Sequence, residues 1–216
     1  MEEVAHQTVG SPLSDGAEAT VVAESYLGLE AIRKTRVPKA YRAEAFDRRI
    51  RSERLRAEVR LLREARRMGL RTPHVFDIDE AALAIIMERI PGRTLTEVFT
   101  DGKAAQQEVQ GVAARLGEAL GKLHAGGISH GDLTGSNVVW NGKDIAFIDM
   151  SMGSRSPELE DFGIDLHLVE EDFNTLLPDP PIVYQAFLHG YATGNPAGAK
   201  KNIARAREIK GRIRYS

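Results

Sequence analysis

The residues with the clearest chemical meaning lie between positions 130 and 149. Residues 130–137 read His-Gly-Asp-Leu-Thr-Gly-Ser-Asn, and Asp149 follows after two short apolar runs. Phosphoryl transfer from ATP needs a carboxylate near the attacking hydroxyl and oxygen ligands for Mg²⁺. Asp132 can supply the carboxylate, and Asn137 and Asp149 can supply the oxygen ligands. Each residue alone would fit a hydrogen-bonded turn or a strand end. Their combination favours phosphoryl transfer.

A second acidic motif, residues 161–163, has the letters Asp-Phe-Gly that many kinases use to hold magnesium. It follows the polar stretch 154–160 rather than a buried strand, and it lies too far along the chain from Asn137. We therefore assign the metal-ligand role to Asp149, which is followed by Met-Ser instead of Phe-Gly. The nearby Asp165, in an apolar helical context, is predicted to brace the loop around His130.

A lysine that contacts the phosphates is expected in the first half of the chain. Lys34 stands at the end of a short apolar run and is the first choice. Lys39 is the second, because the preceding Pro38 indicates that the strand has already ended. A solvent-exposed lysine at the end of a strand is the alternative interpretation of Lys34.

The glutamate that orients this lysine is predicted to be Glu58. It shares the apolar face of a helical stretch, which is formed by Leu55, Val59 and Leu62. An acid on such a face needs a partner, because an unpaired buried charge is costly. Glu53 falls on the opposite side. Lys34 is the predicted partner of Glu58, and Arg54 on the same helix is the alternative.

The first half of the chain has the pattern of a small β-rich lobe with one long helix. Short strands are predicted at 19–23 and 29–33, a helix over about 43–68 ended by Gly69, and a hairpin formed by 75–79 and 83–87. Residues 14–19, which contain a single glycine, Gly16, are predicted to be the loop that covers the phosphates.

The second half is predicted to be mainly helical. Apolar residues recur every three or four positions from Val109 to Leu123, and Asn141-Gly142 joins two short strands as a hairpin. With Pro91-Gly92 as the break, the sequence predicts an α+β fold with an N-terminal β-rich lobe over 1–90 and a helical lobe over 91–216.

Composition narrows the class of protein. The chain has 216 residues and a formal net charge of −2. It contains no cysteine, which excludes disulfides and thiolate metal sites. The sequence shows neither a membrane-spanning apolar run nor the start of a secretory signal, so a cytoplasmic location is expected. Bases concentrate in 33–71 and 200–214, which predicts either solvated helix faces or two surfaces for a polyanion such as RNA.

These motifs together resemble the PRPK family of atypical kinases, the small kinase subunit of the KEOPS (EKC) complex. The resemblance covers nearly the whole chain, and its specific part is the segment 34–42, Lys-Thr-Arg-Val-Pro-Lys-Ala-Tyr-Arg. The other matching segments are 16–19, 54–58, 128–137, 160–161 with 165–166, and the basic ending 210–214.

The resemblance implies a two-lobed protein-kinase-like fold with a minimal C-terminal lobe and little or no activation segment. It implies ATP and Mg²⁺ as cofactors, serine/threonine autophosphorylation and ATPase activity. The implied partners are the threonylcarbamoyl-transferase subunit, other KEOPS subunits and tRNA. Its implied site residues are Lys34 and Glu58 as an ion pair, Asp132 as the base, Asn137 and Asp149 as metal ligands, and Gly16, Ala17, Glu18, Met87, Glu88 and Ile90 at the nucleotide.

Two other functions stay open from the sequence. Aminoglycoside- and choline-type kinases also use His-Gly-Asp, although they devote a long helical insertion to the acceptor and little chain remains here after Asp149. The second is a non-catalytic scaffold that binds RNA and a partner. The presence of all five functional residues argues against it; these are Lys34, Glu58, Asp132, Asn137 and Asp149.

Overall fold

The computed structural model describes residues 12–15, 18–102 and 104–213, and these residues divide into two units. The first unit comprises the described residues within Met1–Arg63 and Pro73–Arg89. The second comprises Glu64–Thr72 and the described residues within Ile90–Ser216. The last turn of the first helix therefore belongs to the second unit.

The first unit contains a five-stranded antiparallel sheet in the order β1-β2-β3-β5-β4. Its strands are β1 (Pro12–Asp15), β2 (Ala19–Tyr26), β3 (Leu29–Arg36), β4 (Val75–Asp79) and β5 (Ala84–Glu88). The β2–β3 turn places Leu27 and Gly28 at φ +50° and +81°, the left-handed pair that a tight two-residue hairpin requires.

Helix α1 (Glu44–Arg67) follows the sheet strand β3 along the chain. Asp47 in its first turn and Arg66 and Arg67 in its last turn suit the helix dipole. The helix ends in a Schellman motif, in which the Leu70 N–H donates to Ala65 O and the Gly69 N–H to Arg66 O. Gly69 has φ +82°, which explains why glycine stops the helix here.

The second unit contains a three-stranded sheet and five helices among its described residues, besides the end of α1. The strands are β6 (Arg93–Thr94), β7 (Val138–Trp140) and β8 (Ile145–Phe147), paired in that order. The helices are α2 (Leu95–Thr100), α3 (Gln106–Ala125), α4 (Leu159–Leu176), α5 (Pro180–Gly194) and α6 (Ala199–Ile213). A 3₁₀ turn, Gly135–Asn137, precedes β7.

Close helix packing holds the second unit together. Helices α3 and α5 approach so closely that a Cβ at Gly117 would lie 2.0 Å from Phe187 O, and one at Gly190 would lie 1.9 Å from Ala114 O. Only glycine fits at these two crossings, so the α3–α5 interface depends on them. Around them pack Phe173, Phe187 and Tyr191, which are fully or almost fully buried.

The predicted α+β class and the kinase-like order of elements are confirmed, but three strand assignments were wrong. Strand β2 extends to Tyr26 rather than ending near Ala23, and β3 extends to Arg36 rather than ending near Arg33. Ser14 and Asp15, predicted to lie in a loop before the first strand, form part of β1 and pair with Val21 and Thr20. Only residues 148–158 connect β8 to α4, which agrees with the expected near absence of an activation segment.

None of the described helices combines the length and hydropathy needed to cross a bilayer.

Candidate functional site

In the first unit, one buried carboxylate binds two bases. Lys34 lies in the interior of β3, opposite Val21 on one neighbouring strand and Ile85 on the other, and is only 6% exposed. Its Nζ donates to Oε1 of Glu58 at 2.6 Å, and Nη2 of Arg36 donates to Oε2 at 2.5 Å. Lys34 and Arg36 share a face because side chains two apart on a strand point the same way.

This arrangement satisfies the buried Glu58 and fixes both bases. A buried ion pair is retained only where its geometry compensates for desolvation, and the two short bonds to separate oxygens supply that geometry. The interpretation of Lys34 as a solvent-exposed strand-end lysine is wrong, since the side chain is buried.

The alternative partner of Glu58 is occupied elsewhere. Arg54 donates through Nη1 to Glu18 at 2.6 Å, and the exposed Glu53 pairs with Arg49 at 3.6 Å. Glu18 is exposed, and its backbone oxygen accepts from the Val37 N–H. Gly16 and Ala17, which were predicted to cover the phosphates, lie outside the described residues.

The predicted nucleotide-contacting segment lies at the end of β5. Met87 is 1% exposed, and it pairs in the sheet with Ile32. The Glu88 carboxylate accepts from the His74 N–H at 3.1 Å. Ile90 is half-buried and begins the second unit.

In the second unit, Asp165 on α4 fixes the backbone of the loop that carries Asp132. Its Oδ2 accepts from the His130 N–H and its Oδ1 from the Gly131 N–H, both at 2.7 Å. Gly131 has φ +81°, and a Cβ there would lie 2.1 Å from Met152 O. Both observations explain why this position takes glycine. The structure therefore gives Asp165 the bracing contacts that the sequence predicted.

A buried polar chain extends from Asp165 to α6. Nε2 of His124 lies 3.0 Å from Oδ2 of Asp165, and its Nδ1 lies 2.7 Å from the Tyr191 hydroxyl, which accepts from Nδ2 of Asn202 at 2.7 Å. Because the carboxylate only accepts, His124 donates from Nε2 and its Nδ1 accepts the Tyr191 proton. Burial raises the pKa of Tyr191 to about 12, so it keeps this proton.

His130 is fully buried, and burial lowers its pKa, although Asp165, Asp149 and Asp132 oppose the shift. Its Nδ1 accepts from the Asp132 N–H at 3.4 Å, which places the proton of the neutral ring on Nε2. Within the described part of the chain, Nε2 has no hydrogen-bond partner. His130 is thus a neutral side chain, packed edge-on against Phe147.

Asp132 and Asn137 are held together by two hydrogen bonds. Nδ2 of Asn137 donates to Asp132 O at 2.8 Å and to Asp132 Oδ2 at 3.0 Å. This leaves Oδ1 as the amide atom that can serve as a metal ligand. The 3₁₀ turn between them is fixed by Asp172, whose Oδ2 accepts from the Gly135 N–H at 2.7 Å. Burial raises the pKa of Asp172. No motif or spacing indicated this contact.

Asp149 lies next to Asn137 through the backbone. The Ile148 N–H donates to Asn137 O at 3.1 Å, so the residue after Ile148 is carried beside the turn of Asn137. Oδ1 of Asp149 accepts from the Ser151 N–H at 2.9 Å, and Met150 is fully buried. The structure thus brings the three residues of the predicted phosphotransfer set, Asp132, Asn137 and Asp149, to one region.

Residues 161–163 have a different structural role. Asp161 stands in the first turn of α4, where its Oδ2 accepts from the Glu158 N–H at 2.7 Å as one half of a reciprocal capping box. At Gly163, the side chains of Ile209 and Arg205 on α6 leave no room for a Cβ. The Asp-Phe-Gly letters therefore mark a helix start.

The donor atoms suit magnesium better than a transition metal. Asn137 and Asp149 offer oxygen atoms, and Mg²⁺ is commonly held by one or two carboxylates with the remaining positions left to water and substrate phosphates. Over the described ranges, no group of three or more His, Asp and Glu side chains could hold a metal ion on its own.

Several bases in each of the two basic stretches pair with acids. Arginines of α1 pair with nearby acids, such as Arg51 with Asp47 at 2.6 Å and Arg56 with Glu80 at 2.9 Å. On α6, Arg205 binds Glu160, and Lys210 binds Glu170 at 2.6 Å. The exposed bases of α6 include Lys200, Lys201 and Arg207.

The chain is similar to several known proteins. A family model described as the RIO domain matches residues 28–173. The chain is 36% identical over 205 residues to a "Probable bifunctional tRNA threonylcarbamoyladenosine biosynthesis protein" of Methanothermobacter thermautotrophicus, and 38% identical over 208 residues to its namesake of Methanosarcina mazei. These matches cover 94% and 96% of this chain but 36% of each relative, so the chain spans about a third of their length.

Solved structures give the same fold. The Rio2 kinase from Chaetomium thermophilum, solved as an ADP/Mg²⁺-phosphoaspartate complex, matches with a TM-score of 0.64 at 16% identity, over 95% of this chain and 72% of that chain. The Rv3197–erythromycin complex from Mycobacterium tuberculosis matches with a TM-score of 0.52 at 19% identity, over 78% of this chain and 52% of that one.

Proposed function

The chain belongs to the RIO-domain family of atypical kinases, and on this premise we propose that it is an ATP- and Mg²⁺-dependent phosphotransferase that also hydrolyses ATP. The observation that carries the proposal is the grouping of Asp132, Asn137 and Asp149, in which a side-chain bond and a backbone bond join three oxygen-bearing residues. A catalytic carboxylate and two metal ligands are the set that phosphoryl transfer requires.

The exposed Asp132 would accept the proton of the attacking hydroxyl group, which comes from serine, threonine or water. Asn137 donates to Oδ2 of Asp132, so that Oδ1 is the oxygen that takes this proton. Asn137, through its own Oδ1, and Asp149 would hold Mg²⁺, which neutralises phosphate charge when ATP is bound. The phosphate groups would meet the Lys34 ammonium, whose position is fixed by Glu58.

Nucleotide contacts are proposed at the two places indicated by the family resemblance. The end of β5 and the residues after it, Met87, Glu88 and Ile90, would bind the base. Because the Met87 side chain is in the core, its contribution would be to shape the site rather than to donate hydrogen bonds. Gly16, Ala17 and Glu18 would cover the phosphates.

We propose that the reaction supports the formation of threonylcarbamoyladenosine in tRNA. The support is the name shared by the relatives, of which this chain resembles about a third. The partners would be the threonylcarbamoyl-transferase part and other KEOPS subunits. The exposed bases Lys200, Lys201 and Arg207 on α6 would contribute to contact with tRNA.

ATP hydrolysis by the purified chain, alone and with the transferase subunit and tRNA, tests this proposal. We expect Asp149→Ala to lower turnover by roughly 100-fold or more, because a metal ligand is lost. The matched control is Asp161→Ala, which removes a helix cap and should cost about 1 kcal/mol of stability with turnover changed by less than about twofold. Equal turnover by wild type and Asp149→Ala would refute the catalytic function. Rapid phosphorylation of a small alcohol or aminoglycoside would favour a small-molecule kinase instead.

A further inference from the structure

The turn that carries Asn137 is held from outside by two helices. Within the turn, the Thr134 N–H donates to Asp132 O at 3.1 Å, and the Asn137 N–H donates to Thr134 O at 3.0 Å. The Gly135 N–H instead donates out of the turn, to Oδ2 of Asp172 on α4 at 2.7 Å. The position of the turn therefore depends on a residue that lies 37 positions further along the chain.

Helix α2 contacts the same turn. A Cβ at Gly135 would lie 2.9 Å from both the backbone nitrogen and Oγ1 of Thr96, and 2.8 Å from Oδ2 of Asp172. Oγ1 of Thr96 also lies 3.2 Å from Oγ of Ser136, within hydrogen-bond distance. Gly135 thus packs against α2 and α4 at once, which blocks a displacement of the turn toward either helix.

The carboxylate of Asp172 lies in largely apolar surroundings. It is half-buried, and it shares a small cavity with apolar side chains, which are Leu95, Leu116, Leu133, Val138, Val169 and Phe173. Within the part of the chain that the structure describes, the Gly135 N–H is the one hydrogen-bond donor to this carboxylate. Its length of 2.7 Å is typical of a charge-assisted bond, which is about twice as strong as a bond between neutral groups. We therefore expect the turn to move when this bond is lost.

A displaced turn would move the amide that is assigned to the metal. Asn137 is the last residue of the turn, and its Nδ2 is bonded to Asp132, which leaves Oδ1 for Mg²⁺. Mg²⁺ binds its ligands at about 2.0–2.1 Å in nearly ideal octahedral geometry, so even a small displacement of a ligand oxygen weakens binding. Replacing a group that orients a metal ligand commonly lowers metal affinity or activity by roughly 10–100-fold.

We propose that Asp172 is a positioning residue for the magnesium site. Its carboxylate holds the turn through the Gly135 N–H and thereby presents Oδ1 of Asn137 to the metal ion. This role rests on the proposed phosphotransfer function, in which Asn137 is a metal ligand. Asp172 is not itself a ligand, so its replacement should change metal affinity far more than the rate at saturating metal.

Binding of Mn²⁺ to the whole chain with ADP tests this role. Mn²⁺ accepts the same octahedral oxygen ligands as Mg²⁺, and electron paramagnetic resonance measures its free concentration. We expect Asp172→Ala to weaken Mn²⁺ binding about tenfold. Asp172→Asn keeps an acceptor oxygen for the Gly135 N–H and should weaken it by less than about threefold. The matched control is Glu171→Ala, which should leave the affinity unchanged, because Glu171 is exposed and bonded to Asn174 within α4.

The Mg²⁺ dependence of ATP hydrolysis separates positioning from a general effect on the fold. Asp172→Ala should raise the Mg²⁺ concentration for half-maximal turnover about tenfold, and it should change turnover at saturating Mg²⁺ by less than about threefold. All variants are measured at a temperature at which circular dichroism shows them to be folded. A role of Asp172 in stability alone would leave the Mg²⁺ dependence equal to that of wild type, and that result would overturn the proposal.

Nuclear magnetic resonance of the metal-free chain supplies a measurement that does not depend on activity. The Gly135 amide proton should shift and exchange faster with solvent in Asp172→Ala, because its acceptor is lost. The side-chain amide signals of Asn137 should shift with it, and Glu171→Ala should change neither residue. Unchanged Asn137 signals in Asp172→Ala would mean that the turn does not depend on this carboxylate, which also overturns the proposal.

Asp149→Ala distinguishes failure of this role from failure of the proposed function. If Asp149→Ala loses Mn²⁺ binding and Asp172→Ala keeps the affinity of wild type, the metal site stands and Asp172 has no part in it. If wild type with ADP binds no Mn²⁺, there is no metal site to position and both proposals fail. If Mn²⁺ binding follows the expected order but ATP is not hydrolysed, the role of Asp172 stands and the proposed activity fails.

Discussion

Nζ of Lys34 lies 2.6 Å from Oε1 of Glu58, and both side chains are buried. A lysine in this environment has one orientation, which the glutamate sets. Lys34 is therefore already oriented for the proposed phosphate contact before ATP binds. The entropy cost of ordering its long side chain is part of the free energy of folding rather than of binding.

Arg36 should matter nearly as much as Lys34 for the stability of this cluster. Replacing it by methionine leaves Oε2 of a buried carboxylate without its cation, and we expect a loss of roughly 3 kcal/mol in the free energy of unfolding. Urea denaturation measures it. Arg56→Met is the control, because its pair with Glu80 is exposed and screened by solvent, so its loss should change the free energy of unfolding far less. Equal losses for the two variants would mean that Glu58 needs only Lys34.

The Tyr191 hydroxyl should support both stability and turnover. Tyr191→Phe leaves Nδ2 of Asn202 without its acceptor and Nδ1 of His124 without its donor, so a cost of about 2–3 kcal/mol is expected. ATP turnover should fall with it, since His124 holds Asp165. Tyr184→Phe, on the same helix and stacked on Phe187, serves as the comparison and should cost clearly less. An unchanged free energy of unfolding in Tyr191→Phe would show that water replaces the hydroxyl.

A side chain at Gly131 should distort the loop that carries Asp132. Alanine there would have a left-handed φ, and its Cβ would meet a backbone oxygen at 2.1 Å, so one segment must move. We expect turnover to fall by about 100-fold or more. Gly142→Ala has a similar φ of +91° but nothing within 4 Å, so only the conformational cost of about 1 kcal/mol applies. Similar turnover in both variants would contradict this account.

Acid should destabilise the fold through His130. Its pKa in the folded protein is lowered by burial, so below the ordinary value of 6.5 the unfolded chain takes up a proton that the folded chain does not. The stability contribution of neutral His130 is therefore complete above that pH and is lost as pH falls toward the lowered value, at up to about 1.4 kcal/mol per pH unit. Unfolding measured from pH 7.5 to 5 should show this slope, and His130→Gln should reduce it. Replacing the exposed His189 by glutamine should leave the slope unchanged.

Local pattern was sufficient for the fold class and for helices α1 and α3, and the resemblance of the motifs identified the family; all of these are confirmed. The Lys34–Glu58 contact could be predicted because an acid on an apolar helix face demands a partner. Arg36 was missed because β3 was expected to stop before it, and the shared face of residues 34 and 36 exists only if the strand continues. Period and turn signals say little about where a strand ends when its last residues are charged.

Other contacts could not be predicted from the sequence, and the reason is different. Asp172 binds the Gly135 N–H, and Tyr191 binds His124, across long stretches of chain and from unrelated helices. No spacing rule connects such residues, since only the packing of α3, α4 and α5 makes them neighbours. Residues 161–163 show the converse case: their letters match a kinase motif but begin a helix, because a short match carries no information about its structural context.

The buried polar chain gives α6 a role in the cooperativity of the second unit. Asn202 on α6, Tyr191 on α5, His124 on α3 and Asp165 on α4 form one series of bonds that ends at the backbone of residues 130 and 131. Detaching α6 would remove the Asn202 donor from the buried Tyr191 hydroxyl and weaken the bonds that follow it in the series. The amide protons of α6 and of the Asp132 loop should therefore exchange with solvent through a common opening, as parts of one foldon.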